Sequence, residues 1–317
     1  MILRRSLKSA IALAAGFAII LSASCIGPRL APPAEKRPLL RFGIITDLHY
    51  ADIDPSGARS YRESLVKLEE CVKLMNSQKA NFLVELGDFK DQDKVNPTEG
   101  RTLSYLRRIE DVFRKFKGAH YHVLGNHDLD SLSKPQFLKA VQNTGIRPDQ
   151  SYYVFSRKGV RFIVLDANFR SDGRPFDHGR FAWEDANVPR AELAWLKREL
   201  EASSKPVVIL IHQQLDGEGA YYVKNAAEVR RVLESSKKVL AVFQGHRHEG
   251  QLNIINGIPF YTLKAAVEGS GAGNNSYALV EIDRHYGMAI TGYRKAVSLK
   301  LPRYSAGKTE DFTSSRE

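Results

Sequence analysis

Five short apolar runs in this chain end in side chains able to ligate a divalent metal. The first three are Phe42-Gly43-Ile44-Ile45-Thr46 before Asp47-Leu48-His49, Phe82-Leu83-Val84-Glu85-Leu86 before Gly87-Asp88, and Tyr121-His122-Val123-Leu124 before Gly125-Asn126-His127-Asp128. The others are Val207-Val208-Ile209-Leu210-Ile211 before His212, and Val239-Leu240-Ala241-Val242-Phe243-Gln244 before Gly245-His246-Arg247-His248. Carboxylate, imidazole and amide donors without thiolate suit Mn, Fe or Zn in a reactive centre rather than a structural zinc knot. Two such cations about 3.5–4 Å apart would lower the pKa of a shared water and clamp phosphoryl oxygens, so that the resulting hydroxide attacks phosphorus in line. The expected chemistry is two-metal hydrolysis.

Local spacing supports convergence. Asp47 and His49 lie two apart in what reads as extended chain, as do His246 and His248, so each pair is expected to point one way. Asp88 is the natural bridge, since one carboxylate has two oxygens to share. Gly87, Gly125 and Gly245 each precede a candidate ligand and permit a sharp turn or a close backbone approach. Singly, each motif has a plain structural reading: Asp-x-His by chance, Gly-Asp as a turn, His212 as a satisfied core histidine. Five of the nine histidines (49, 127, 212, 246 and 248) nevertheless stand in these settings. The remaining four, at 120, 122, 178 and 285, read as structural or surface residues.

The elements that must position these residues alternate. Strand-like runs and helices at 61–78, 100–117, 134–143 and 190–202 succeed each other, with a further helix at 226–233. In the first, Cys71 falls at core spacing with Leu65, Leu68, Val72 and Met75 and reads as a buried, inert thiol. Beyond Val239 come short strands at 251–255, 258–263, 276–282 and 288–293, with Asn256-Gly257 as a hairpin turn. Alternating βα units followed by β-meanders predict helices outside packed sheets, and ligands gather at the carboxyl ends of strands in such sheets. Two long connections, 170–189 and 213–225, carry Phe176, Phe181, Trp183, Tyr221 and Tyr222. These aromatics either stack a base or cover an apolar substrate group, or they pack the loops onto the body.

The chain has 317 residues, 43% hydrophobic and 26% charged, which suits one large globular domain. Two cysteines cannot make a disulfide framework. The formal net charge is +11, and the first 24 residues supply +3 of it through Arg4, Arg5 and Lys8. A basic surface favours anionic substrates, envelope phospholipid or nucleic acid. No lysine/arginine block with interleaved aromatics promotes nucleic acid, so none is expected. The basic start and the apolar stretch from Ala10 to Leu21 read as an export signal at 1–25, too short for an ordinary span. Leu21-Ser22-Ala23-Ser24-Cys25 resembles a bacterial lipoprotein processing site, so Cys25 is the candidate acylation and membrane-anchoring point. Arg4-Arg5-Ser6-Leu7-Lys8 also resembles a twin-arginine signal. A proline-rich tether at 26–38, a catalytic domain at 39–300 and a polar tail at 301–317 complete the expected organisation. The expected address is the bacterial cell envelope.

In order and combination, Asp47-x-His49, Gly87-Asp88, Gly125-Asn126-His127-Asp128, His212 and Gly245-His246-x-His248 resemble the motif set of the calcineurin-like metallophosphoesterases. The resemblance implies an α/β fold, a four-layer αββα sandwich of two mixed β-sheets flanked by helices. It implies one metal held by Asp47, His49, Asp88 and His248, and a second held by Asp88, Asn126, His212 and His246. His127 would then face substrate as the general acid, with Asp128 orienting its ring. Asp91 stands where purple acid phosphatases carry a tyrosine on ferric iron, which argues against that branch; it is expected to hydrogen-bond within its loop. Arg247 is expected to meet substrate phosphate or to pair with a surface acid.

A narrower similarity, to the manganese-dependent ADP-ribose/CDP-alcohol diphosphatases, rests on Asp47-Leu48-His49-Tyr50-Ala51-Asp52 and Tyr61-Arg62-Glu63-Ser64-Leu65. It continues through Tyr121 to Asp128, Ser151-Tyr152-Tyr153, Val164-Leu165-Asp166, Gly257-Ile258-Pro259 and Glu268. Many eukaryotic members have glutamine where His49 stands, so this chain keeps the more general ligand set. It implies manganese and a small phosphorylated substrate, including nucleotide diphosphates. Phosphomonoesterase, cyclic-nucleotide phosphodiesterase and a non-catalytic phosphate-binding envelope scaffold are the alternatives.

Overall fold

A computed structural model describes residues 38–301. The expected signal at 1–25 with Cys25, the tether at 26–38 except Pro38, and the tail at 301–317 except Leu301 lie outside the described residues. Within them the chain runs β1 (Leu40–Ile45), α1 (Ser64–Ser77), β2 (Phe82–Glu85), α2 (Glu99–Phe113), β3 (Ala119–His122) and α3 (Lys134–Ala140). A hairpin of β4 (Tyr153–Arg157) and β5 (Val160–Val164) precedes α4 (Arg190–Ala202), β6 (Val207–Leu210), α5 (Ala226–Ser236) and β7 (Val239–Gln244). The chain then continues through β8 (Gln251–Ile255), β9 (Ile258–Thr262), β10 (Ser276–Ile282), β11 (Met288–Arg294) and β12 (Leu299–Leu301).

Two six-stranded mixed sheets result, ordered β12-β11-β10-β1-β2-β3 and β4-β5-β6-β7-β9-β8. In the first, β1, β2 and β3 are parallel and β10 joins β1 antiparallel. In the second, β5, β6, β7 and β9 are parallel. The Asn256-Gly257 turn forms with both residues at positive φ, 49° and 79°, and closes the β8–β9 hairpin. The segment beyond Val239 is therefore split: β8 and β9 extend the second sheet, while β10 to β12 return to the first.

Alternation along β1 explains the layering. Leu40, Phe42 and Ile44 enter a core shared by both sheets, where Phe42 stacks on Phe82 at 4.8 Å and meets Phe162 of the other sheet edge-on at 5.4 Å. Ile45 faces the opposite way, into a core with Leu68, Cys71, Met75, Leu106 and Phe113 of α1 and α2. The second sheet packs its other face on Leu193, Leu196, Leu200, Val229 and Leu233 of α4 and α5. The architecture is the expected four-layer αββα sandwich. Cys71 is a buried free thiol, pushed up by desolvation.

Candidate metal centre

The five candidate segments all follow carboxyl ends of parallel strands, three from the first sheet (β1, β2, β3) and two from the second (β6, β7). Backbone hydrogen bonds carry the pairing past the strand ends: Asp47 N donates to Gly87 O at 3.0 Å, His49 N to Asp88 O at 2.8 Å, and Gly245 N to His212 O at 3.0 Å. Bonds between the two halves pin them together. His212 Nδ1 donates to Leu86 O at 2.8 Å, His246 N to Asp47 Oδ2 at 3.1 Å, and Asn168 Nδ2 to Leu124 O at 2.8 Å.

Around the segments from Asp47 to His49 and from His246 to His248 the chain is not extended. Asp47, His49, Asp88 and His246 have φ of 51°, 46°, 56° and 67°. Side chains rarely adopt this left-handed region, and it concentrates at functional sites. The kinks override the expected strand periodicity. Asp47 and His49 still meet, but His246 and His248 separate into different groups. Close approach explains the glycines. A Cβ on Gly125 would stand 2.2 Å from Asp88 N and Oδ1, and one on Gly87, itself at φ 102°, would lie 2.4 Å from His212 Nδ1.

The ligating atoms of Asp47, His49 and His248 lie within 4.8 Å of one another, as do those of Asp88, His212 and His246. Asp88 lies between the groups: its Oδ2 is 3.2 Å from His212 Nε2 and 3.5 Å from His49 Nε2. His248 Nε2 is 3.5 Å from Asp47 Oδ1. Asp47 Oδ1, His49 Nε2, Asn126 Oδ1, His212 Nε2 and His246 Nε2 are buried and have no hydrogen-bond partner. Buried polar atoms usually find partners, and those of Asp47, His49, His212 and His246 lie instead within the two close ligand groups, which fits a pair of cations. Burial alone would raise the Asp47 carboxyl, but His248 and His49 outweigh it and hold it well below the usual range. Against burial, Asp88 drives His212 up to about 10, so the acids here attract positive charge strongly.

Outer partners orient the imidazoles. Besides the Leu86 carbonyl on His212, Glu268 Oε1 lies 2.5 Å from His248 Nδ1 and Asp91 Oδ2 lies 3.5 Å from His49 Nδ1. The Leu86 and Glu268 contacts aim Nε2 and settle the tautomer, whereas the longer approach of Asp91 to His49 is not a hydrogen bond. Asp91 also accepts from Gln92 N at 2.7 Å and Lys94 Nζ at 2.6 Å, within its loop. Arg247 pairs with Glu249 at 3.6 Å and donates to Gln251 at 2.7 Å.

One expected role is corrected. Asp128 does not orient His127; its buried carboxylate accepts four backbone N–H groups, from Gly125 (2.9 Å), Phe89 (3.0 Å), Asp88 (3.1 Å) and Lys90 (3.3 Å). It organises the loops after β2 and β3. The partner of His127 is Asp130, whose Oδ2 lies 2.7 Å from Nδ1. The 3-10 turn His127–Leu129 explains the exchange, because residues three apart in such a turn eclipse. That turn also separates His127 from Asn126, whose buried Oδ1 is among the orphans.

The aromatic loops divide. Phe176 and Phe181 stack on each other at 4.0 Å and belong to the packing of the body. Trp183 and Tyr221 lie 5.4 and 5.6 Å from the His246 ring and 5.5 Å from each other, at the rim of the site. Sequence reasoning also passed over a buried charge cluster behind Asp88. His122 Nε2 lies 3.0 Å from Glu110, and Glu85 Oε1 accepts from Gly87 N at 2.7 Å. Burial raises Glu85 to about 8, and Glu110 overcomes burial to raise His122 to about 9.

A family model described as calcineurin-like phosphoesterase matches residues 40–250. A manganese-dependent ADP-ribose/CDP-alcohol diphosphatase of Oryza sativa subsp. japonica is 29% identical over 294 residues, covering 78% of this chain and 90% of that protein. The Arabidopsis thaliana protein of the same name is 26% identical over 293 residues, covering 78% and 93%. Among solved structures, a dimetal phosphatase from Danio rerio superposes with a TM-score of 0.71 at 23% identity, over 84% of this chain and 100% of that one.

Proposed function

The chain belongs to the calcineurin-like phosphoesterase family of metal-dependent phosphoric ester hydrolases, and from that premise we propose that it is an exported, manganese-dependent hydrolase of nucleoside-diphosphate compounds of the ADP-ribose and CDP-alcohol kind. The relatives' shared name supports the substrate class. The observation that carries the hydrolytic reading is the gathering of Asp47, His49 and His248, and of Asp88, His212 and His246, with their ligating atoms within 4.8 Å of one another in each group.

Asp47, His49, Asp88 and His248 would hold one metal, and Asp88, Asn126, His212 and His246 the other. When bound, the two cations supply Lewis acidity, making water acidic and drawing charge from the phosphoryl oxygens. The chain's own residues do the rest. Asp130 engages His127 Nδ1, leaving Nε2 to give its proton to the departing oxygen as the P–O bond breaks. Against burial, Asp130 and Asp88 raise His127 to about 9, which favours the charged ring. Trp183 and Tyr221 stand beside His246 with ring faces to offer a base.

Purified mature protein with Mn²⁺ should turn over ADP-ribose and CDP-choline faster than p-nitrophenyl phosphate. Preference for the monoester would replace the diphosphatase reading with a phosphomonoesterase one, and no metal-dependent turnover on either class, or on bis-p-nitrophenyl phosphate, would sink the hydrolase. His127→Ala should keep both metals, by metal analysis, while losing turnover on poor leaving groups. Arg4, Arg5, Lys8 and the apolar stretch after them support export, and Cys25 the lipid anchor. Mass spectrometry of envelope fractions should find an acylated Cys25 at the mature N-terminus; an N-terminus retaining residues 1–24 would refute processing.

A further inference from the structure

A cavity of about 600 Å³ lies between the start of α3 and the first part of the 170–189 loop, and none of the residues assigned to the metal centre lines it. Its lining carries Lys134, Arg170, Arg174 and Arg180 against a single acid, Asp177; Lys134 is already paired with buried Asp166 at 2.5 Å, so the three arginines supply the charge open to a ligand. Asp177 is itself engaged, 2.7 Å from His178 Nδ1. The arginines are arranged by a tight turn. Gly173 N donates to Arg170 O and Arg170 N to Arg174 O, both at 2.8 Å, which brings residues 170 and 174 side by side. Asp172 steadies them from behind, 3.4 Å from Arg170 and 2.7 Å from Arg174. Arg180 makes no ion pair among the described residues. Ser133 and the apolar Pro135, Phe169, Pro175 and Phe176 complete the lining, with Lys134 Nζ 3.2 Å from the Phe169 ring centroid.

Guanidinium groups beside aromatic and proline side chains suit a phosphate attached to a planar body, and the volume lies in the range of small-ligand sites. We propose that this cavity is a second anion site, distinct from the metal centre, that binds a phosphorylated ligand of the nucleotide class. It is tied to the catalytic side: His178 N donates to Leu132 O at 3.1 Å and Gly179 N to Leu129 O at 2.9 Å, and Leu129 closes the turn that carries His127. The ligand is either the far end of the substrate or a separate nucleotide, and the chemistry recognised is the same. The site stands independently of the hydrolytic reading.

Binding is measured on the full mature chain stripped of metal with EDTA, where no cation can hold phosphate. AMP should bind, inorganic phosphate should compete, and adenosine should bind at least about tenfold more weakly than AMP, the loss expected for a charged contact. Arg180→Glu and Arg174→Glu change exposed side chains, and each should weaken AMP about tenfold with the circular dichroism spectrum unchanged. AMP binding equal to wild type in both variants, or no AMP binding tighter than about 10 mM, overturns the site. On the manganese-loaded enzyme the sources separate. A raised KM for ADP-ribose with an unchanged KM for bis-p-nitrophenyl phosphate supports the site as the seat of the substrate's far end. Both KM values unchanged, with AMP binding lost, supports a separate ligand.

Discussion

Asp130→Asn tests whether the proton donor is governed by the residue two places beyond the recognisable motif. The wild-type contact, 2.7 Å from Asp130 Oδ2 to His127 Nδ1, is charge-assisted. Asparagine keeps the shape and an acceptor oxygen, so the change removes charge assistance and little else. Charged hydrogen bonds contribute about 1.5–3 kcal/mol and neutral ones about 0.5–1.5 kcal/mol; the difference of about 1–1.5 kcal/mol corresponds to roughly 5- to 13-fold in rate. This lies below the roughly 10²–10⁴-fold expected when the acid is removed altogether. The loss should appear in kcat for glycerol 2-phosphate, whose alkoxide leaving group needs a proton, and stay under about threefold for bis-p-nitrophenyl phosphate, whose leaving group does not. Behind burial, which opposes the charge, Asp130 is the strongest influence raising His127. Its removal therefore lowers the His127 pKa and moves the alkaline limb of the kcat profile to lower pH. Equal losses on both substrates, or reduced manganese content, would refute the assignment.

Asp128→Ala strands four buried backbone donors, at about 1–3 kcal/mol each. A loss of at least about 4 kcal/mol should lower Tm by roughly 8–16 °C for a domain of this size; a shift below about 3 °C would contradict the scaffold role. Trp183→Ala should raise KM for ADP-ribose about 5- to 100-fold, the worth of one stacked base, and leave bis-p-nitrophenyl phosphate unaffected; equal effects on both would place Trp183 in structure rather than recognition. Stability should fall toward alkaline pH. Folded Glu85 keeps until about 8 a proton that the unfolded chain releases near 4.5, so stability declines across that interval, and His122, raised from 6.5 to about 9, contributes below 6.5 and is lost through 9. Urea midpoints should therefore drop between about pH 6 and pH 9, and Glu85→Gln should shrink the drop; a flat wild-type profile would count against the cluster.

Much of the architecture was legible because burial writes itself into periodicity. The helix expected at 190–202 and the strands at 251–255 and 276–282 form at those residues, and Asn256-Gly257 turns where its chemistry demands. The β4–β5 hairpin went unread because its turn is Lys158-Gly159, where only the glycine signals a left-handed pair with φ of 48° and 84°. Leu299–Leu301 was too short to register and became β12 through pairing with β11.

By itself the sequence determined which donor types end which strands, since apolar runs and their polar terminators are local patterns. The partner of His127 and the rim aromatics were decided only by tertiary structure, and so was the parting of His246 from His248, which spacing alone pointed one way. Left-handed kinks at Asp47, His49, Asp88 and His246 break the two-residue alternation from which sequence reasoning infers direction. Bonds between loops of different sheets, such as His246 N to Asp47 Oδ2, join residues 199 apart. A 3-10 turn then gives His127 to Asp130 instead of its neighbour Asp128. Each depends on where a backbone bends, and in these loops that is set by hydrogen-bond partners distant in the chain.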